Sequence, residues 1–136
     1  MSVLAAMLHA EVAPEHWQEW WGYGAFFIVS AAAQLVYGLL LLLFAIHLEA
    51  RLPSWARSER LLYASGIVGN GALIALYVWT RTVGNFAGPA TGEIEPVELI
   101  GILSKAAEVA LVGMLVIALW KGADTVERRA LAASAA

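Results

Sequence analysis

The stretch Val97–Trp120 constrains this chain more than any other: it is an apolar run of bilayer-crossing length that carries Glu98, Lys105 and Glu108. A charged side chain at bilayer depth costs roughly 2.5–3.5 kcal/mol even on lenient insertion scales, so it is rarely left facing lipid. At about 100° per residue, Glu98, Gly101, Lys105 and Glu108 return to one face of a helix, with Ser104 at its edge. That stripe needs partners, and two further apolar runs supply them. One extends over about 22–46 and the other over about 61–83, each long enough for a ~30 Å hydrocarbon core. Tyr23, Ser30, Gln34 and Tyr37 form a polar line on the first. Tyr63, Asn70, Ile74, Tyr77 and Arg81 form one on the second. The composition agrees with spans: 14% of residues are charged, against about 25% in soluble domains.

The expected fold is therefore all-α, an integral membrane three-helix bundle with spans at about 22–46, 61–83 and 97–120 inside a domain covering 15–121. Val3, Leu4, Met7, Leu8 and Glu11 have helical spacing. They predict a short amphipathic surface helix over 1–14, interrupted by Pro14. The His16–Gly24 stretch, with Trp17, Trp20, Trp21 and Tyr23, has the aromatic density of a membrane interface. Residues 122–136 read as a polar tail with a frayed end.

Lys and Arg set the orientation. The 47–60 loop holds Arg51, Arg57 and Arg60, and the tail holds Lys121, Arg128 and Arg129. The N-terminal segment and the 84–96 loop have none. The positive-inside rule then predicts an outside N-terminus and an inside C-terminus.

Spacing along the helices places Gln34, Asn70 and Glu108 near mid-membrane, Ser30 and Lys105 a turn nearer the outside, and Arg81 with Glu98 at the outer end. Tyr77 belongs to the same polar set. One reading is a structural hydrogen-bond network that fixes helix register. The other is a proton or ion relay through Lys105 and Glu108. On the outer surface, His16, Glu19, Glu93 and Glu95 are candidate ligands for a divalent cation such as Zn or Mn. The alternative is a solvated acidic rim. Haem is disfavoured within one chain, because His16 and His47 lie on the order of 45 Å apart along one helix. The absence of cysteine removes disulfides, thiolate metal sites and cysteine catalysis. No nucleotide-binding or hydrolase motif is present, and the net charge of −3 offers no basic face for nucleic acid.

Three segments, HWQEWWGYGAFF at 16–27, GIVGNGALIALYVWTRTVG at 66–84, and GPATGEIEPV with SKAAEVAL within 88–111, resemble a family of small prokaryotic three-span integral membrane proteins. The resemblance covers most of the membrane part and implies that His16, Glu19, Arg81, Glu93, Lys105 and Glu108 belong to the family pattern. It implies a prokaryotic cytoplasmic membrane and no activity. After TRTVG the family pattern continues with Pro and an aromatic, whereas this chain reads Asn85-Phe86-Ala87-Gly88-Pro89.

The functional expectation is a non-enzymatic accessory subunit in the lipid bilayer, joined to a membrane-protein partner or to itself. Its reason is that three helices cannot enclose three polar lines unaided. The alternative is an outward-facing metal site or an ion- or proton-handling protein.

Overall fold

The computed structural model describes residues 1–46 and 58–134, with side chains described through Lys121. The fold is all-α: α1 Ser2–Glu19, α2 Trp21–Ala45, α3 Glu59–Thr82 and α4 Leu99–Ser134. The helices α2 and α3, together with the Leu99–Lys121 part of α4, are long and apolar enough to cross a bilayer. The chain is thus a small membrane protein with three span-capable helices and an N-terminal helix. The Arg51, Pro53 and Arg57 loop and His47 lie outside the described residues.

The N-terminal helix departs from expectation in length and position. It does not stop at Pro14 but carries that proline inside it. The break falls at Trp20, a single extended residue (φ −164°, ψ 133°) that ends α1 and begins α2. The two helices then run antiparallel. The Ser2 hydroxyl donates to the Gln34 carbonyl at 2.6 Å, and the His16 and Phe27 rings stack at 4.5 Å. Over 18 residues α1 covers about 27 Å of α2. It therefore follows the depth of the bundle rather than lying across its surface.

The packing explains why α1 survives its proline. Ser2, Ala5, Ala6, His9 and Ala13 are buried and share one helix face, and all but His9 are small. Small residues let helix backbones approach closely, and that contact offsets the lost Pro14 hydrogen bond, a defect of about 3 kcal/mol in an isolated helix. The larger Val3, Leu4 and Met7 point outward, Met7 being 66% exposed. The bulky apolar face of α1 looks away from the bundle, and the small-residue face is the one that packs inward.

α1 packs against both α2 and α4, and α3 packs against α4. α2 reaches α3 through large side chains instead. The Tyr37 hydroxyl donates to the Leu62 carbonyl at 3.0 Å, and Phe44 meets Tyr63 edge-on at 6.3 Å. These residues, with Leu40, Leu41 and Leu43 around the fully buried Leu62, make an apolar cluster at the end of the bundle opposite the 84–96 loop. At Gly66 any side chain would collide with the Tyr37 hydroxyl, so the glycine is what permits that crossing.

The 84–96 loop is ordered by its own backbone. Asn85 N–H donates to the Glu93 carbonyl at 2.9 Å, and Gly92 N–H donates to the Asn85 carbonyl at 2.7 Å. Gly84 (φ +112°) lies directly against the Gly92 carbonyl, where a side chain would not fit. The Tyr23 hydroxyl pins the loop to α2 by donating to the Ala87 carbonyl at 2.6 Å. At its far end α4 continues as helix through the expected frayed tail to Ser134. From Glu127 to Ala133 the sequence there is made of Glu, Arg, Ala and Leu, all good helix formers, and it has no proline.

Candidate functional site

Glu108 sits where all four helices converge, and it is fully buried. Its Oε1 accepts from His9 Nε2 at 3.1 Å, Gln34 Nε2 at 3.1 Å and Ser104 Oγ at 3.4 Å. Its Oε2 accepts from Lys105 Nζ at 2.6 Å, the short contact of a charge-assisted bond. Gln34 Nε2 also reaches Asn70 Oδ1 at 3.3 Å, and Asn70 Nδ2 returns to the Gly66 carbonyl of its own helix at 2.8 Å. α1 thus contributes His9, α2 Gln34, α3 Asn70, and α4 Ser104, Lys105 and Glu108. The ion pair brings one positive and one negative charge inside together, which is how a buried charge becomes tolerable.

Between this cluster and the loop lies a cavity of about 280 Å³. His9, Ser104 and Lys105 line it nearest Glu108. Tyr23, Phe26 and Phe27 of α2 wall one side, and Leu73, Leu76 and Tyr77 of α3 the other. Trp20, Phe86 and Glu95 border it toward the loop. Arg81 lines it too, its guanidinium 4.1 Å from the centre of the Tyr77 ring and its Nη1 2.7 Å from Thr80 Oγ1. Lys105 Nζ lies 5.6 Å from the same ring centre. Gly101 makes room, since a side chain there would press on the Tyr77 ring. The Tyr77 hydroxyl and Arg81 Nε are buried with no hydrogen-bond partner.

The expected polar set is gathered in most of its members. Gln34, Asn70, Lys105 and Glu108 form one hydrogen-bonded cluster, and Tyr77, Arg81 and Glu98 border the cavity above it. Ser30 is buried one turn from Gln34 but does not join the cluster. Arg81 and Glu98, expected to meet, both line the cavity without an ion pair between them. The outer candidate ligands are not gathered. His16 Nδ1 donates to Glu19 Oε2 at 3.0 Å, while Glu95 Oε1 is held by Asn85 Nδ2 at 2.5 Å. No group of three or more His, Asp or Glu among the described residues is arranged to hold a metal ion.

His9 is the member that sequence reasoning missed. It was assigned to a surface helix, so it was not matched to Glu108. The available signal was its place on the Ser2-Ala5-Ala6-His9-Ala13 face, the small-residue face of α1.

Neither a protein-family model, nor a curated protein, nor a solved structure matches this chain.

Proposed function

We propose that this chain is a non-enzymatic membrane protein that holds a small molecule in the cavity between its helices, on a floor fixed by the Lys105–Glu108 pair. The observation that carries this reading is a blind pocket: space for a ligand on the loop side of Glu108, and the apolar Leu62 cluster on the other. Ligand pockets are commonly apolar in their walls with a few converging polar groups, and this cavity has that make-up. Arg60 and Lys121 lie at the end away from the loop. By the positive-inside rule, that end faces the cytoplasm and the pocket serves the outer side.

The case for an accessory subunit rested on polar lines that three helices could not cover. α1 packs against α2 and α4 and supplies His9 to Glu108 from within the chain, which supports a site built by one chain. Proton or ion handling draws on one observation, the contact of the cavity-lining Lys105 and His9 with buried Glu108. A pathway would have to continue through the Leu62 cluster, where the side chains are Leu, Phe and Tyr.

The test is native mass spectrometry of the protein purified from its own membrane in mild detergent. The expected result is a bound small-molecule mass on the wild type that is lost in Val12→Phe, a substitution that fills the cavity from α1. Bare polypeptide in both preparations counts against the pocket reading. Proton flux into proteoliposomes that is abolished by Glu108→Gln would favour the relay instead.

A further inference from the structure

The cavity holds donors without acceptors. Tyr77 Oη and Arg81 Nε are buried and unpartnered, although buried polar atoms in folded proteins are nearly always hydrogen-bonded to protein, water or ligand. Lys105 has three N–H donors, and its one hydrogen bond goes to Glu108. All three groups surround one ring, with the Arg81 guanidinium 4.1 Å and the Lys105 ammonium 5.6 Å from the Tyr77 centre. Glu108 answers Lys105 directly, while Arg81 Nη1 donates to the neutral Thr80 hydroxyl. Two further carboxylates border the cavity: Glu95, whose Oε1 accepts from Asn85, and Glu98, the residue just before α4, which forms no ion pair with Arg81. Neither supplies an acceptor to Arg81 Nε or Tyr77 Oη.

Resting on the pocket reading above, we infer that the Tyr77–Arg81–Lys105 group is a subsite for a single negative charge, and that the pocket takes a monoanionic head on a compact apolar body. The head accepts from Arg81 Nε and Tyr77 Oη, and the unused Lys105 donors add a third contact. The unpartnered guanidinium N–H and phenol O–H lack an acceptor, and an arginine fork suits a carboxylate or phosphate oxygen pair. The body lies against Tyr23, Phe26 and Phe27. At about 280 Å³ the cavity sits at the small end of ordinary ligand pockets, roughly 300–1,000 Å³, so the body is no larger than a substituted ring or a short chain.

The probe is 4-butylbenzoate, compared with 4-butylbenzyl alcohol and 4-butylbenzylamine, which keep the body and change the head. Binding is measured by equilibrium dialysis against the full chain in phosphatidylcholine nanodiscs, with empty nanodiscs subtracted. The expected result is saturable binding of the carboxylate, at least tenfold tighter than of the alcohol or the amine. Arg81→Gln should weaken the carboxylate about tenfold or more, leave the alcohol unchanged and be partly rescued by Arg81→Lys. Should Arg81→Gln fold poorly by thermal unfolding, Tyr77→Phe removes one donor and keeps the ring; it should weaken the carboxylate alone. Phosphatidylglycerol in the nanodisc distinguishes the sources of the charge. Competition with the probe assigns the subsite to a lipid headgroup, and its absence assigns it to a free carboxylate.

Equal affinity for carboxylate and alcohol overturns the anion subsite while leaving the pocket reading intact. Carboxylate binding that is indifferent to both Arg81→Gln and Tyr77→Phe overturns it as well. Failure of every probe to bind, together with no bound mass in the native preparation, removes both readings.

Discussion

Removing the ammonium at Lys105 should do more damage than removing the charges of the pair together. In Lys105→Met the carboxylate of Glu108 stays fully buried, keeps its His9, Gln34 and Ser104 donors, and loses the ammonium at 2.6 Å. Truncating one partner of a buried ion pair costs about 3–5 kcal/mol, chiefly because a charge is left uncompensated. Neutral interhelical contacts in membranes average about 0.6 kcal/mol, so this loss stands well above the ordinary scale of such bundles. Adding Glu108→Gln removes the stranded charge, while the amide oxygen can still accept from Gln34 and Ser104. The double variant should therefore be more stable than Lys105→Met alone by on the order of 1 kcal/mol, and the coupling in the cycle, which adds the loss in Glu108→Gln to that recovery, should be larger still. The assay is reversible unfolding by SDS titration in mixed micelles, run on the four proteins of the cycle. Additive losses, with the double variant at least as unstable as the sum of the singles, would falsify the claim that charge compensation holds this centre together.

Two other outcomes test the packing. The chain has no cysteine, so introduced thiols report cleanly on α1. Ala5→Cys, at a position with no exposed surface, should resist maleimide in the folded protein and Gln18→Cys should react; rapid labelling of both would mean that α1 lies free of the bundle. Gly66→Ala must displace the Tyr37 hydroxyl from above the helix and should cost about 1–3 kcal/mol. Gly113→Ala meets nothing within 4 Å and should be neutral or slightly stabilising in the same unfolding assay, so equal effects at the two glycines would refute the assigned crossing.

The spans were legible because their signal is one of length and apolarity, which needs no knowledge of neighbours. α2 and α3 begin and end within two residues of expectation. The cluster around Glu108 was legible in part for a similar reason. A charge on a spanning helix has to find a partner, and helical spacing at 1.5 Å per residue is enough to bring Gln34 and Asn70 to the level of Glu108, with Lys105 one turn away. Depth alone, however, does not reveal which atoms touch. Ser30 shares the depth of Lys105 but stays outside the hydrogen-bonded group, and Arg81 turns to Tyr77 rather than to Glu98.

An adsorbed membrane-surface helix and one docked in a bundle share the same outward face, since Val3, Leu4 and Met7 meet the apolar phase in either case. The opposite face is what separates the two. In a bilayer, lipid tails are as apolar as leucine and close packing selects small residues for the protein side. Under that rule the inward face is Ser2, Ala5, Ala6, His9 and Ala13, the face found buried. The consequence reaches the site. With that face turned inward, His9 enters the bundle at Glu108, and Leu8, His9 and Val12 of α1 close one side of a pocket whose other walls come from α2, α3 and the loop. Part of what the buried carboxylate needs is thus supplied by the first helix of the same chain.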